Sequence, residues 1–264
     1  MRIVIKENRY EASSFAAETI AMQLQKKPNS VLGLATGSTP TLCYEQLIRL
    51  HKEHYVDFSA ASSFNLDEYH GLSPDHPQSY RYFMQQKLFD HINIDISNTH
   101  VPDGLNENPI QACADYENEI NAHGGIDLQL LGIGRNGHIG FNEPTSGLQS
   151  RTRIKTLTQS TTHANSRFFG DEEFQPELAL TMGIGTILEA KKILLLAFGK
   201  EKSAAVQTMI EGALSAYCPA SALQLHPDAI IVLDREAASR LEHIEFFIEV
   251  EEKQQALMKS LNLS

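Results

Sequence analysis

The chain has 264 residues, 42% of them hydrophobic, enough for a sizeable core in one large α/β domain or two small ones. Its formal net charge of −11 speaks against general binding to nucleic acid or to anionic membranes, so an anionic ligand would have to be held by a few local donors. Cys43, Cys113 and Cys218 form no CxxC and read as reduced thiols of a cytoplasmic protein, MRIVIKENRY lacks the apolar stretch of a signal peptide, and no run approaches the roughly 18 apolar residues of a membrane span.

Short apolar runs alternate with helical patterns along the chain. Residues 1–5 are the first strand candidate, followed by a helix over about 10–26. Residues 31–35 lead through TGSTP into a helix over about 40–53, and residues 62–66 lead through DEYH toward one over about 78–90. A helix over about 108–123 precedes the run 126–133 and its glycine-rich loop. The segment 144–176, rich in Thr, Ser, Arg and Phe, is less regular and reads as a candidate mobile flap. Residues 193–198 are followed by GKEK and a helix over about 200–212, and residues 229–233 by a helix over about 235–242. From His243 the stretch HIEFFIEV looks strand-like, with a charged helical tail behind it.

This alternation predicts a doubly wound, mostly parallel α/β sheet with helices on both faces, Rossmann-like, in one domain spanning 1–264. Several runs are continuously apolar, as strands covered on both sides require. In such sheets ligands sit beyond the carboxyl ends of the strands, and polar groups do cluster just after four of the runs.

Three of those clusters carry chemistry. In Thr36-Gly37-Ser38-Thr39-Pro40, Pro40 suits the first helical position and Thr39 the cap, so free N–H groups and hydroxyls would form an anion cradle; an ordinary capped helix start is the plain alternative. Lys202 and Arg167 could add charge to the same phosphate, or be solvated surface cations. In Phe64-Asn65-Leu66-Asp67-Glu68-Tyr69, adjacent carboxylates of an extended chain point opposite ways. Asp67, nearest the strand end, is the candidate general base, with Glu68 facing solvent or a positive partner; a loop-bracing role is the alternative for Asp67.

The third cluster, Gly-Ile-Gly-Arg-Asn-Gly-His-Ile-Gly-Phe-Asn-Glu-Pro over 132–144, spells a dinucleotide fingerprint at Gly132, Gly134 and Gly137. A nucleotide fold needs a helix after the last glycine and an acidic residue about 20 positions on. Here the chain is broken by Gly140 and Pro144, with no Asp or Glu between Glu143 and Asp171. There is no HExxH or second nearby histidine for zinc. What remains is an acid–base group of His138 and Glu143 flanked by the amides of Asn136 and Asn142. With a phosphate cradle and a base on two other strand ends, this suits proton transfer on a small phosphorylated sugar.

TGSTP, FNLDEY, GIGRNGHIGFNEP, SRTRIKTLT, ANSRFF and GKEKS, in this order and spacing, make the chain similar to the glucosamine-6-phosphate deaminase (isomerising) family, from residue 1 to about 242. The resemblance implies conversion of glucosamine 6-phosphate and water to fructose 6-phosphate and ammonia, in amino-sugar catabolism and with no cofactor or metal. It implies that Thr36, Gly37, Ser38, Thr39, Arg167 and Lys202 hold the phosphate, that His138 opens the ring with Glu143 orienting it, and that Asp67 carries a proton from C2 to C1. Where many members have aspartate, this chain has Asn136, an amide that can orient the imidazole but cannot carry charge, so a less basic His138 is expected. Some members are hexamers activated by N-acetylglucosamine 6-phosphate; Ser146, Arg153 and Lys155 match residue types used there, while Asn136 is shared with smaller unregulated members, so monomer and hexamer both stay open. The competing functions are a sugar-lactone hydrolase of the wider superfamily, which needs no C2 base such as Asp67, and a non-catalytic sugar-phosphate sensor, which need not keep Asp67, His138 and Glu143 together.

Overall fold

A computed structural model of the chain describes residues 1–157 and 175–261. Seven strands make one parallel sheet: β1 (Arg2–Lys6), β2 (Val31–Leu34), β3 (Ser62–Asn65), β5 (Thr99–His100), β6 (Leu128–Gly132), β9 (Ile193–Ala197) and β10 (Ala229–Asp234). A second, antiparallel sheet holds β4 (Asp67–Tyr69), β7 (Arg153–Thr156) and β8 (Leu178–Thr181). The helices among the described residues include α1 (Arg9–Lys26), α2 (Thr41–Lys52), α3 (Tyr80–Lys87), α4 (Pro109–Ala122), α5 (Ile184–Leu188), α6 (Ser203–Glu211) and α7 (Ile244–Ser260). None of them is long and apolar enough to cross a membrane.

The strand order β1-β10-β9-β6-β2-β3-β5 locates the functional crevice. From edge strand β1 the chain crosses to β2, then steps outward to β3 and β5. It returns to β6 on the other side of β2 and steps outward again through β9 and β10 to meet β1. The winding direction reverses between β2 and β6. Right-handed crossovers then place the helices of the two halves on opposite faces, and the loops leaving β2 and β6 diverge to open a crevice.

The sequence explains why these elements form. β9 (ILLLA) and β10 (AIIVLD) are buried along their whole length, each fully buried Leu or Ile being worth roughly 1.5–3 kcal/mol. α1 starts where the Asn8 side chain accepts the Glu11 N–H at 3.0 Å, and it buries a stripe of Ala12, Ala16, Ala17, Ile20, Ala21 and Leu24. That small-residue stripe lets α1 lie against α2 and against β1, β9 and β10. α4 starts with the Asn108 cap and Pro109, and its Tyr116 hydroxyl donates to Asn65 O at 2.7 Å, pinning the end of β3.

The parallel sheet matches the sequence expectation, but four details differ. HIEFFIEV is not a strand: it opens α7, whose inward residues Ile244, Phe247, Ile248, Glu251 and Gln255 follow the helical period, and Glu251 pairs bidentately with Arg2 of β1 at 2.6 and 2.7 Å. Residues 235–242 are turns rather than a helix, because Asp234 accepts the Ala237 N–H at 2.7 Å and closes the chain tightly after β10. α2 begins at Thr41 with Pro40 as its cap, one residue later than the Thr39 cap expected. The antiparallel sheet was not foreseen, since its strands are only three or four residues long. Of the flap expected over 144–176, residues 158–174 lie outside the described residues.

Candidate active site

The loop leaving β6 is the spine of the site, and its residues reach Thr39, Lys202 and Asp67 as well as bearing His138 and Glu143. At its start Gly132 lies against the Thr39 side chain, an added Cβ meeting it at 3.7 Å. The Ile133 carbonyl accepts the Lys202 ammonium at 2.7 Å. Gly134 donates to His138 O at 2.9 Å and Gly137 to Gly134 O at 3.0 Å, folding the loop on itself. This fold presses the His138 ring onto Gly134, where a methyl group would lie 2.2–2.4 Å from ring atoms Cε1, Nδ1 and Nε2. Gly140 has φ +56° and faces Thr181 Oγ1 at 3.1 Å and Asp67 Oδ2 at 3.3 Å, measured from where its Cβ would stand. Asn142, fully buried, staples the loop down by donating to Ile139 O at 2.9 Å and Met182 O at 2.8 Å. A turn from a distant part of the chain braces it from behind: Ala220 N–H donates to Gly137 O at 2.9 Å, and Thr145 N–H to Ala216 O at 2.8 Å.

His138, Glu143 and Asn136 form one polar group. The His138 Nδ1 approaches Glu143 Oε1 to 3.3 Å, with the imidazole one-third exposed and the carboxylate mostly buried. The hydrogen bonds of the Asn136 amide go to other groups than the ring. Its Nδ2 donates to Glu143 Oε2 at 2.6 Å, and its Oδ1 accepts the His138 backbone N–H at 3.2 Å. The sequence pattern suggested an amide orienting the imidazole directly; in the fold the amide holds the carboxylate that faces the imidazole.

Asp67 opens β4 and pairs in register with Thr181 of β8. Burial pushes its carboxyl up to about 8, and the neighbouring Glu68 charge adds to the shift. A carboxyl so placed takes up and releases a proton near neutral pH, as a general base must. Glu68 points the other way, as the pleat demands, but not into solvent. It is buried and accepts the N–H groups of Tyr69, Tyr80 and Arg81 at 2.8, 3.0 and 2.9 Å, gripping the start of α3. Burial raises its pKa against the pull of those three bonds. The solvent-facing or cation-paired Glu68 expected from the sequence is therefore replaced by a helix-capping one. We expect Glu68→Gln, which puts an amide N–H₂ among those three donors, to cost about 1–3 kcal/mol of stability; a denaturation midpoint equal to that of the parent would contradict this.

On the β2 side, Gly37 turns at φ +90° and the Thr41 hydroxyl donates to Gly37 O at 3.1 Å. The cap residue Pro40 gives α2 no side-chain hydrogen bond, so among the described residues the first N–H groups of the helix have no side-chain acceptor. Gly37 and Ser38 are exposed, and Thr36 and Thr39 half-buried. Across the crevice Lys202 is held by its bond to Ile133 O, and burial lowers its pKa. The loop before it is fixed by Gly199 N–H donating to both Asp234 oxygens at 3.1 Å. Arg167 lies outside the described residues.

Of the remaining candidates, two lie on the small sheet and the third directly follows the His138 loop. Arg153 and Lys155 alternate on β7 and so share a face of the small sheet, Arg153 Nη1 donating to Arg151 O at 3.3 Å. Ser146 is buried, its N–H donating to Glu143 O at 3.0 Å. Among the described residues no three His, Cys, Asp or Glu side chains cluster so as to hold a metal. A cleft of about 320 Å³ lined by Glu68, Arg81, Thr99, His100 and Glu119 opens where the Glu68 side chain lies, away from the His138 loop. Thr181 escaped the sequence reading, and Gly134 and Gly140 stood out there only as loop glycines, not as neighbours of His138 and Asp67. A glycine four residues before the histidine was visible as spacing, but Thr181 reaches Asp67 only through the antiparallel pairing.

Comparison with known proteins identifies the family. The family profile described as glucosamine-6-phosphate isomerases/6-phosphogluconolactonase matches residues 7–232. A glucosamine-6-phosphate deaminase of Shewanella woodyi is 59% identical over 261 residues, covering 99% of each chain, and one of Cellvibrio japonicus is 55% identical with the same coverage. A solved structure described as a monomeric glucosamine-6-phosphate deaminase superposes with a TM-score of 0.87 at 47% identity, over 90% of this chain and 99% of its own. A 6-phosphogluconolactonase from Trypanosoma cruzi, 22% identical over 91% of this chain and 97% of its own, shares the fold with a TM-score of 0.73. The chain belongs to the glucosamine-6-phosphate isomerase/6-phosphogluconolactonase family, among its glucosamine-6-phosphate deaminases.

Proposed function

We propose that the protein converts glucosamine 6-phosphate and water to fructose 6-phosphate and ammonia. The observation that carries this reading is the placement of Asp67, a buried carboxyl shifted to about 8, against Gly140 of the loop that also bears His138 and Glu143. One loop thus brings a base for a C–H proton beside an acid–base group for oxygen atoms, while its first residues reach the anion cradle. The reading takes residues 1–264 as one domain built around that loop.

In the proposed cycle the phosphate is anchored by the N–H groups and hydroxyls of residues 36–39, by Lys202 and by Arg167. His138, facing Glu143, takes the anomeric hydroxyl proton and returns it to the ring oxygen, which opens the pyranose. Asp67 removes the C2 proton as the C1 carbonyl oxygen gains one, giving an enolamine, and delivers its proton to C1. The resulting C2 iminium adds water and expels ammonia, leaving the C2 ketone. A single carboxyl serves C2 and C1 because both lie on the same side of the open chain. Protein supplied with glucosamine 6-phosphate is expected to release ammonia and fructose 6-phosphate in equal amounts, with solvent deuterium at C1; absence of both products refutes the reading. A lactone hydrolase of the same fold has no use for Asp67, and hydrolysis of 6-phosphogluconolactone unaffected by Asp67→Asn would favour that second reading.

Asn136 gives a pH test. Aspartate there would set a second carboxylate against Glu143, 2.6 Å from the present amide nitrogen, and so favour the protonated form of the His138–Glu143 group. The limb of the pH–rate profile belonging to that group should move to higher pH by about one unit in Asn136→Asp. Coincident profiles for the two proteins would show that the amide does not set its basicity.

A further inference from the structure

We propose that Arg135 is an additional phosphate-contacting residue, which joins Lys202 in selecting substrates with a dianionic phosphate; the inference rests on the sugar-phosphate reading of the site. Arg135 lies in the loop leaving β6, two residues beyond the carbonyl of Ile133 that holds the Lys202 ammonium at 2.7 Å. Its charge is felt at Lys202, where it acts together with burial to lower that residue's pKa. The loop thus sets an exposed arginine two residues from the carbonyl that holds the Lys202 ammonium, on the β6 side of the crevice.

Like charges brought together without a counterion destabilise a fold, so the surroundings of Arg135 matter. Among the described residues it makes no hydrogen bond or ion pair, and it is exposed. The nearest carboxylate of its own loop, Glu143, is occupied by Asn136 and His138. Glu201 also acts on Lys202, yet its carboxylate folds back over Gly199, where an added Cβ would lie 2.5 Å from Oε2. The opposite wall is the N-terminus of α2, whose cap residue offers no side-chain acceptor, reached through the contact of Gly132 with Thr39. Arginine presents a planar fork of donors that matches phosphate oxygens, so the fork would complete a cradle already made of helix N–H groups and one ammonium. Nothing in the fold itself requires a cation at this position.

The test uses the full-length protein and two probes, glucosamine 6-phosphate in steady-state assays and inorganic phosphate in a binding titration. Arg135→Ala is expected to raise KM and weaken phosphate binding about tenfold, with kcat within twofold of the parent. Arg135→Lys should recover part of both, and melting temperatures should coincide because the side chain is exposed and, among the described residues, makes no hydrogen bond or ion pair. Unchanged KM and phosphate affinity in Arg135→Ala would overturn the proposal, as would a raised KM with unchanged phosphate affinity. If the parent protein failed to turn over glucosamine 6-phosphate while Arg135→Ala still weakened phosphate binding, the catalytic reading would fall and the anion role of Arg135 would stand.

Discussion

Asp67→Asn is expected to lower kcat for glucosamine 6-phosphate by about 10³-fold or more, with KM little changed, because the amide cannot take the C2 proton. The same change should stabilise the protein at alkaline pH. The Asp67 carboxyl is pushed up to about 8 from 3.8, chiefly by burial, so the folded state binds its proton more tightly than the unfolded chain does. The sign follows: this residue costs nothing below about pH 4, and stability falls as pH rises from there through about 8, by at most about 6 kcal/mol. The asparagine variant lacks that slope. Parallel stability–pH curves for parent and variant between pH 5 and 8 would mean that the carboxyl is not held neutral by its surroundings. In the parent, kcat/KM should rise with pH toward a limb near 8, since it reports the free enzyme. The limb in kcat should lie lower, because the bound substrate's ammonium favours the carboxylate.

Gly134→Ala is the second large effect, about 10²-fold in kcat, and it separates positioning from folding. Gly134 is not among the glycines with positive φ, so its backbone accepts alanine. What does not accept it is the His138 ring, 2.2–2.4 Å from the new methyl. The ring is one-third exposed and can swing aside, which keeps the stability cost small but moves it by an ångström or more from Glu143 and from the sugar. Gly147, with open space around its Cα, is the control: alanine there should leave kcat unchanged. Turnover of Gly134→Ala within threefold of the parent would show that the ring does not need its present seat.

Much of the fold was legible because its signals are local. β9 and β10 read as continuous apolar runs, and α1 and α4 begin at Asn caps. α7 was misread at its start because apolar residues on two helical faces, such as Phe246 and Phe247, crowd together in sequence like a strand. β4, β7 and β8 are too short to show a period, and they exist only through pairing with one another. The site divides the same way. The glycine loop, the adjacent carboxylates and the cradle stood out as residue types at strand ends. The partner of Glu68 did not, since α3 begins a dozen residues later and approaches it only in the folded chain.

The sequence by itself determined the class of sheet, the loops that carry chemistry and the family, because apolar period, capping residues and dense motifs are written in neighbouring positions. Only the tertiary structure decided which groups meet. The reversal of winding between β2 and β6 opens the crevice, pairing of Asp67 with Thr181 turns one carboxylate toward Gly140 and the other into a helix cap, and Asn136 is set on Glu143 rather than on the imidazole. These are contacts between segments distant in sequence or turned by backbone geometry, and their energies come from burial and directional bonds that no local pattern records.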